Sequence, residues 1–198
     1  MLETEWEKLE NRQGDYISIG ISVDGTPITA FSVPWESTTN AFNMKTPDVF
    51  ISPEDLSDKK IMDKLSSFKV LGCYIWAPLE DYTFLSSFKD IWDLSIKNGE
   101  NIKNLDFLLE LHECRMFYVE NMKVHNIDVI LKLKEENASI FGSDLRCVGL
   151  YNCEVEDLSA FTTKKHKFNE FLVWSKKEKS ERKKWEVVSA FKRKCYEI

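Results

Sequence analysis

The amino-acid sequence predicts an α/β fold, a solenoid of repeated units in which short parallel strands alternate with helices or turns. One apolar pattern recurs along the chain, and most of its occurrences are 23 residues apart. Each occurrence is followed by apolar residues at steps of three to four, which is the spacing of a helix. One such unit cannot bury both of its faces alone, so we expect neighbouring units to stack. The pattern begins at Phe68, Ile91, Cys114, Leu145 and Phe168.

The two central units carry the clearest pattern. LRCVGLYNCEV, which starts at Leu145, has apolar residues at relative positions one, four, six, nine and eleven, and CRMFYVENMKV, which starts at Cys114, repeats them. Successive residues of a strand point to opposite faces, so Val148 and Leu150 should lie in the interior, as should Phe117 and Val119. We predict parallel strands, hydrogen-bonded in sequence order, near residues 70–74, 93–97, 116–120, 147–151 and 171–174.

This pattern resembles the leucine-rich repeat, L-x-x-L-x-L-x-x-N/C-x-L, over roughly residues 68–174. The resemblance implies parallel strands on a concave face and helices or turns on a convex face. In the family an Asn at the N/C position bonds neighbouring backbones. Cys153 occupies that position here and is a weaker donor, whereas Met122 departs from the pattern.

We expect a single domain, residues 1–198, with three parts. Residues 1–47 should form an N-terminal cap: a short helix, a β-hairpin with strands at 17–23 and 28–31, and a polar loop. Residues 48–175 should hold the repeats, the first of them degenerate. Residues 176–198 should form a C-terminal capping helix, because their apolar residues lie at helical spacing among lysines.

Charge is unevenly distributed along the chain, whose net charge is −6. The residues before Lys164 include 15 basic and 28 acidic side chains, whereas those from Lys164 onward include 12 basic and 5 acidic ones. An acidic body disfavours nucleic acid and favours a basic protein partner. The basic C-terminal segment is most simply a solvated helix face, with contact to RNA or an anionic surface as the alternative.

The sequence predicts a cytoplasmic protein without a membrane segment. The first residues show neither the basic flank nor the apolar region of a signal peptide, and no apolar run is long enough to span a bilayer. The five cysteines contain no C-x-x-C pair. We therefore expect reduced thiols, with Cys73, Cys114 and Cys153 buried at core positions.

No catalytic constellation is evident in the sequence. Cys114 lies at a core position, which favours a structural thiol over a nucleophile even though His112 is close to it in sequence. His125 should lie on the surface, and His166 lies in a lysine-rich stretch. No spacing is typical of a zinc site or of a phosphate-binding glycine loop. We therefore expect no enzymatic activity, no cofactor and no metal.

The resemblance implies a binding surface, because the positions that flank the strand leucines line the concave face in this family. Four aromatic residues fall on that face, three of them at equivalent positions, and Tyr and Trp are common interface anchors. The alternatives are that Tyr is simply a good strand former and that the insertion at 135–143 or a terminal cap binds instead. The predicted partner-binding residues are Tyr74, Asp93, Lys97, Tyr118, Glu120, Tyr151, Glu170 and Trp174.

Within this set the two central tyrosines, Tyr118 and Tyr151, should be the strongest anchors. We expect alanine at either position to weaken binding by about 2 kcal/mol and to leave the folded state nearly unchanged. Asp93 and Glu120 should meet basic side chains of the partner.

The sequence thus favours a protein-binding module, and more specifically an inhibitor such as a bacterial immunity protein that neutralises a basic toxin. Nucleases are basic because they hold phosphates, so an acidic inhibitor associates quickly with them and can cover the active site. One alternative is a scaffold or adaptor with the same repeats. The other is an enzyme or RNA-binding protein that uses the basic C-terminal segment.

Overall fold

The computed structural model contains a mixed α/β fold built around one eight-stranded sheet in which every pair of neighbouring strands is parallel. Parallel strands need crossover connections, and short helices and turns provide them here. The structure describes residues 1–28, 46–88, 90–111, 113–137, 145, 147–163, 170–174 and 195–196.

The strands of the main sheet follow the order β10-β9-β7-β5-β4-β3-β1-β2, while β6 and β8 form a separate parallel pair. Their bounds are β1 Tyr16–Ile21, β2 Val49–Ile51, β3 Lys69–Ile75, β4 Asp93–Ile96, β5 Met116–Glu120, β6 Lys123–Asn126, β7 Cys147–Tyr151, β8 Glu154–Asp157, β9 Glu170–Trp174 and β10 Cys195–Tyr196. The five predicted strands are confirmed as β3, β4, β5, β7 and β9, and they pair in the predicted order.

Helical segments follow the strands, as the apolar spacing predicted. The α-helices are α1 Glu3–Glu10, α2 Lys59–Ser66, α3 Val129–Asn137 and α4 Ser159–Thr163, and 3-10 turns span Glu54–Ser57, Thr83–Ser87 and Asp106–Glu110. Within the described ranges, none of these helices combines the length and the apolar content that crossing a bilayer requires.

The hydrophobic core lies between one face of the sheet and the helical segments. Along this core face Phe117 pairs with Val148, and Val148 pairs with Phe171, so the same apolar positions of neighbouring strands lie side by side. Leu108 and Ile130 pack in the same cluster from the helical side. The predicted interior positions are confirmed, because each is 0 % exposed: Leu94, Ile96, Phe117, Val119, Val148 and Leu150.

The predicted N-terminal hairpin is wrong. Strand β1 lies inside the sheet, between β2 and β3 and parallel to both, so neither of its edges is open to a hairpin partner. Ile28 is not in a strand, and residues 29–31 lie outside the described residues. The alternation of Ile and Ser in β1 is equally compatible with a central strand, because Ile17, Ile19 and Ile21 face the core.

The predicted C-terminal helix is wrong at its end. Residues 175–194, which include most of that helix, lie outside the described residues. Cys195–Tyr196 forms β10, a short strand that pairs with the edge of β9. The free edge of a parallel strand offers unpaired backbone groups, which a short β-compatible dipeptide can satisfy.

The predicted repeat that starts at Phe68 is displaced by two residues along the chain. The pattern placed Leu71 and Cys73 in the core, but Cys73 and Ile75 face it, and the pairing of β1 with β3 skips Leu71 as a bulge. Gly72 pairs with Asp93, so the interval between this repeat and the next one is 21 residues rather than 23. Nearly every residue of β3 is apolar, so two registers fitted the pattern equally well.

A ladder of asparagines follows three strands and was not predicted. Asn152 Nδ2 donates to Asn121 Oδ1 over 2.8 Å, Asn121 Nδ2 donates to the Lys97 carbonyl over 3.5 Å, and Asn98 donates to the Trp76 carbonyl. Asn121 and Asn152 have φ of 59° and 50°, which Asn tolerates better than most residues. The sequence signal was present, because each Asn follows the last core residue of its strand by two positions.

The predicted role of Cys153 is also observed. Its thiol lies 3.5 Å from the Val119 carbonyl on the neighbouring strand and 3.4 Å from that of Tyr151. The Cys153 thiol therefore bonds the backbone of the neighbouring unit, while Asn152, one position earlier, bonds the side chain of Asn121. Cys73, Cys114 and Cys153 are buried as predicted, and none of the three forms a disulfide.

We expect Cys73, Cys114 and Cys153 to react with a maleimide at least about tenfold more slowly in the native protein than in urea, because burial blocks access and raises the thiol pKa. Peptide mapping by mass spectrometry after timed labelling measures each site separately. Equal labelling in both states, or a native disulfide at any of the three, would contradict the buried, reduced assignment.

Candidate functional site

Most of the predicted partner-binding residues lie together on the sheet face opposite the core, which we call the polar face. Ser95 pairs with both Tyr74 and Tyr118, and Tyr151 pairs with Glu120 in the next row. Tyr74 therefore shares a row with Tyr118. The repeat pattern predicts that Tyr74 and Tyr151 occupy equivalent positions, and this prediction is wrong. The different position of Tyr74 follows from the two-residue displacement of the repeat that starts at Phe68.

Two members of the predicted set belong to β9. Glu170 pairs with Cys147, and Trp174 pairs with Tyr151, so both occupy the predicted positions in the backbone register. Their side chains lie outside the described part of the structure. The same is true of residues 134–137, and residues 138–144 are not described at all, so most of the rival insertion at 135–143 stays a prediction.

The polar face is buried, contrary to the expectation of a solvent-facing row. Tyr118 is 0 % exposed, Tyr74 3 %, Tyr151 7 % and Asp93 9 %. A strand pattern shows which face a side chain occupies, but it does not show what covers that face. The expected exposure of these four residues is therefore wrong, while their role in partner binding remains a prediction.

Lys97 and Glu120 retain more contact with solvent than these four residues. Their side chains are 20 % and 13 % exposed, and Lys97 Nζ lies 3.9 Å from Glu120 Oε1. Tyr118 donates its hydroxyl hydrogen to the same carboxylate oxygen over 2.7 Å. Burial, and then the charge of Glu120, raises the pKa of Tyr118, so Tyr118 remains a hydrogen-bond donor at physiological pH.

Asp93 lies at the centre of a second buried polar cluster. The Tyr74 hydroxyl donates to Asp93 Oδ2 over 3.2 Å, and Ser95 Oγ donates to Oδ1 over 3.4 Å. The Tyr74 ring reaches this position across Gly72, where a Cβ atom would lie 2.9 Å from the ring. Burial raises the pKa of Asp93 to about 6, against the two hydrogen bonds, which lower it.

We expect Asp93→Asn to remove a pH dependence of folding between pH 4 and 6. The folded state keeps a proton on Asp93 up to about pH 6, whereas the unfolded chain loses it near 3.8, so the free energy of unfolding falls as pH rises through this window. The fall amounts to about 3 kcal/mol, and the variant should be more stable than the parent at pH 7 by a comparable amount.

Urea denaturation at pH 4, 5, 6 and 7 tests this expectation. Asp63→Asn, at an exposed position of α2, is the matched control and should leave the pH profile of the parent unchanged. Parallel profiles for the parent and Asp93→Asn would show that Asp93 is ionised in the folded protein throughout the range.

Aromatic residues close one end of the polar face. Trp76 lies between Phe50 and Tyr74, with ring centroids 6.0 and 6.2 Å apart respectively, and Ile28 packs against the group. All three rings are buried. This end of the face is therefore closed by aromatic packing, whereas the carboxylates of the two polar clusters lie on β4 and β5.

The helical side of the molecule carries a groove that the sequence analysis missed. It lies between the 3-10 turns at Thr83–Ser87 and Asp106–Glu110 and has a volume of about 520 Å³. Its lining includes Glu80, Asp81, Tyr82, Asp106, Phe107 and Glu110. The apolar spacing of these helical segments predicts their buried residues, but it does not predict that acids beside two successive turns line one groove.

The side chains with potential chemical reactivity are the cysteines, the histidines and any clustered carboxylates. Within that part of the chain, no three His, Cys, Asp or Glu side chains are grouped so that they could hold a metal ion. Burial raises the pKa of Cys114 and of Cys153 to about 12, which keeps both thiols protonated. His125 is exposed, as predicted, and lies 3.1 Å from Glu156, while His112 and His166 lie outside the described residues.

No family model matches this chain, and neither the curated proteins nor the solved structures include a significantly similar one. The resemblance to leucine-rich repeats therefore depends on the repeated pattern itself. Functional inference likewise depends on the charge and geometry of this chain.

Proposed function

We propose that this protein is a leucine-rich-repeat solenoid that binds a basic protein and inhibits it, as an immunity protein neutralises a nuclease toxin. The observation that carries the proposal is the separation of charge: 15 basic and 28 acidic residues precede Lys164. Such an acid excess attracts a basic partner over long range and accelerates its association. A scaffold or adaptor with the same fold is the alternative.

Two features of the backbone support the solenoid. The strands from β3 to β9 lie in register in sequence order, and a helical segment follows each of β3, β4, β5 and β7 along the chain. The hydrogen bonds of Asn98, Asn121 and Asn152 join neighbouring units, although these residues lie one position before the N/C position at which the family has its Asn.

The chemistry of the site supports binding more than catalysis. The tyrosines of the polar face are buried and rigid, so we propose that they support the more exposed pair of Lys97 and Glu120, which a partner reaches first. Trp174 continues this row on β9, whereas Glu170 lies in the row of Asp93, Met116 and Cys147. The free thiols fit a reducing compartment, and we place the protein in the cytoplasm.

The test is to isolate and characterise the partner. The tagged chain is used to capture proteins from the source cell, and the product of the adjacent reading frame is tested in parallel. Each candidate is then purified, and its affinity, association rate and nuclease activity are measured. We expect a basic partner whose association slows about tenfold or more between low and high salt and whose activity is lost in the complex.

Two results would change this conclusion. A basic partner that keeps its full activity in the complex would favour the scaffold or adaptor. A partner without excess positive charge, bound at a rate that salt does not affect, would contradict the proposal.

A further inference from the structure

The acidic groove, defined by Glu80, Asp81, Tyr82, Asp106, Phe107 and Glu110, lies on the helical side of the molecule and is separate from the polar face. The Tyr82 and Phe107 rings stack in its wall, with centroids 4.9 Å apart and planes 21° from parallel. Phe107 is only half-buried, so part of its ring remains accessible from the groove.

The charges around this aromatic pair are mostly negative and mostly unpaired. Within the described residues, no hydrogen bond or ion pair engages the carboxylates of Glu80, Asp106 and Glu110. Asp81 accepts two hydrogen bonds from Thr83, both of 2.8 Å, and these lower its pKa, so it stays ionised. Among the described lining residues only Lys103 is basic, so these residues together carry an excess of negative charge.

Tyr82 provides an observation independent of the acids. It is 5 % exposed, yet its hydroxyl has no hydrogen-bond partner among the described residues. Burial raises the pKa of Tyr82 to about 12, with the charge of Glu100 adding to the effect, so the group stays neutral. Buried hydroxyls normally have partners, so this oxygen, which has almost no accessible surface, is left to accept a hydrogen bond from a ligand donor that displaces the neighbouring side chains.

We propose that the acidic groove binds an arginine-bearing basic segment of the partner protein. The guanidinium group stacks on Phe107, its N–H groups donate to the carboxylates of Asp106 and Glu110, and the Tyr82 oxygen accepts a further hydrogen bond. Arginine suits this site better than lysine, because its planar cation both stacks on aromatic rings and pairs with carboxylates in a fixed geometry. This inference depends on the proposed function and identifies the acidic groove as the surface that contacts the partner.

Binding of a fluorescently labelled hexaarginine peptide to the full-length chain, measured by fluorescence anisotropy at low ionic strength, tests the groove. Asp106→Asn/Glu110→Gln should weaken binding about tenfold, because it removes both unpaired carboxylates beside Phe107. The matched control is Glu7→Gln/Glu10→Gln on the exposed side of α1, which makes the same change in net charge. We expect the control to weaken binding less than about twofold.

Two further measurements separate a defined site from general attraction. Hexalysine should bind more weakly than hexaarginine to the parent, and Phe107→Leu should reduce this difference. Thermal unfolding of every variant verifies that the fold is retained. Equal losses in the groove and control variants, or no loss in the groove variant, would overturn the proposal, because binding would then reflect net charge alone.

The isolated partner distinguishes this inference from the proposed function. If the partner binds the parent and the Asp106→Asn/Glu110→Gln variant equally well, the groove is not its site, although the proposed function stands. If the parent binds no basic protein, the proposed function fails, and the peptide comparison still decides whether the groove recognises arginine.

Discussion

Val148→Asp is expected to unfold the protein. Val148 is 0 % exposed and lies in the middle of β7, paired with Phe117 on one side and Phe171 on the other. A carboxylate there has apolar neighbours on both adjacent strands. An uncompensated buried charge costs several kcal/mol, which is comparable with the 5–15 kcal/mol that stabilises a typical domain.

Circular dichroism during thermal unfolding measures this effect. The variant should lose its cooperative transition or fail to remain soluble. Val23→Asp is the matched control, because Val23 is 70 % exposed, and it should change the free energy of unfolding by no more than about 0.5 kcal/mol. A soluble Val148→Asp variant with the melting temperature of the parent would show that β7 does not contribute this face to the core.

The sequence predicted the strands of the repeats because their information is local. Phe117, Val119, Val148 and Leu150 alternate with polar or small residues, and the same alternation recurs at a nearly constant interval, so both face and order follow. The position of β1 depends on contacts with strands far along the chain. Its alternation indicates a strand, but nothing within it distinguishes a hairpin partner from two parallel neighbours.

The candidate site, too, could be predicted from the sequence only in part. The common face of Tyr118 and Tyr151 follows from strand alternation, and the structure places both on the polar face. Their burial was not predictable, because exposure depends on segments remote in sequence. The acidic groove shows a further limit: Asp81 and Asp106 come together only because two successive turns pack side by side, which the apolar pattern does not encode.

The burial of Tyr118 changes the effect expected of Tyr118→Ala on the folded state. The sequence alone predicted a loss of binding with the fold intact, but Tyr118 is 0 % exposed and its hydroxyl donates to Glu120. Removing the ring leaves a cavity and takes one hydrogen bond from the Glu120 carboxylate. We therefore expect the free energy of unfolding to fall by about 3–5 kcal/mol, the range found for large aromatic residues replaced by Ala.

Urea denaturation of the alanine variant, compared with Tyr118→Phe, separates the two components of this loss. Phe keeps the ring and removes only the hydrogen bond to Glu120, so it should cost about 1 kcal/mol. Because Tyr118→Phe keeps the fold, it is also the appropriate variant for testing a role of Tyr118 in partner binding. If Tyr118→Ala unfolds at the same urea concentration as the parent, the Tyr118 side chain is accessible in solution. The prediction that Tyr118 is a central anchor for the partner would then stand.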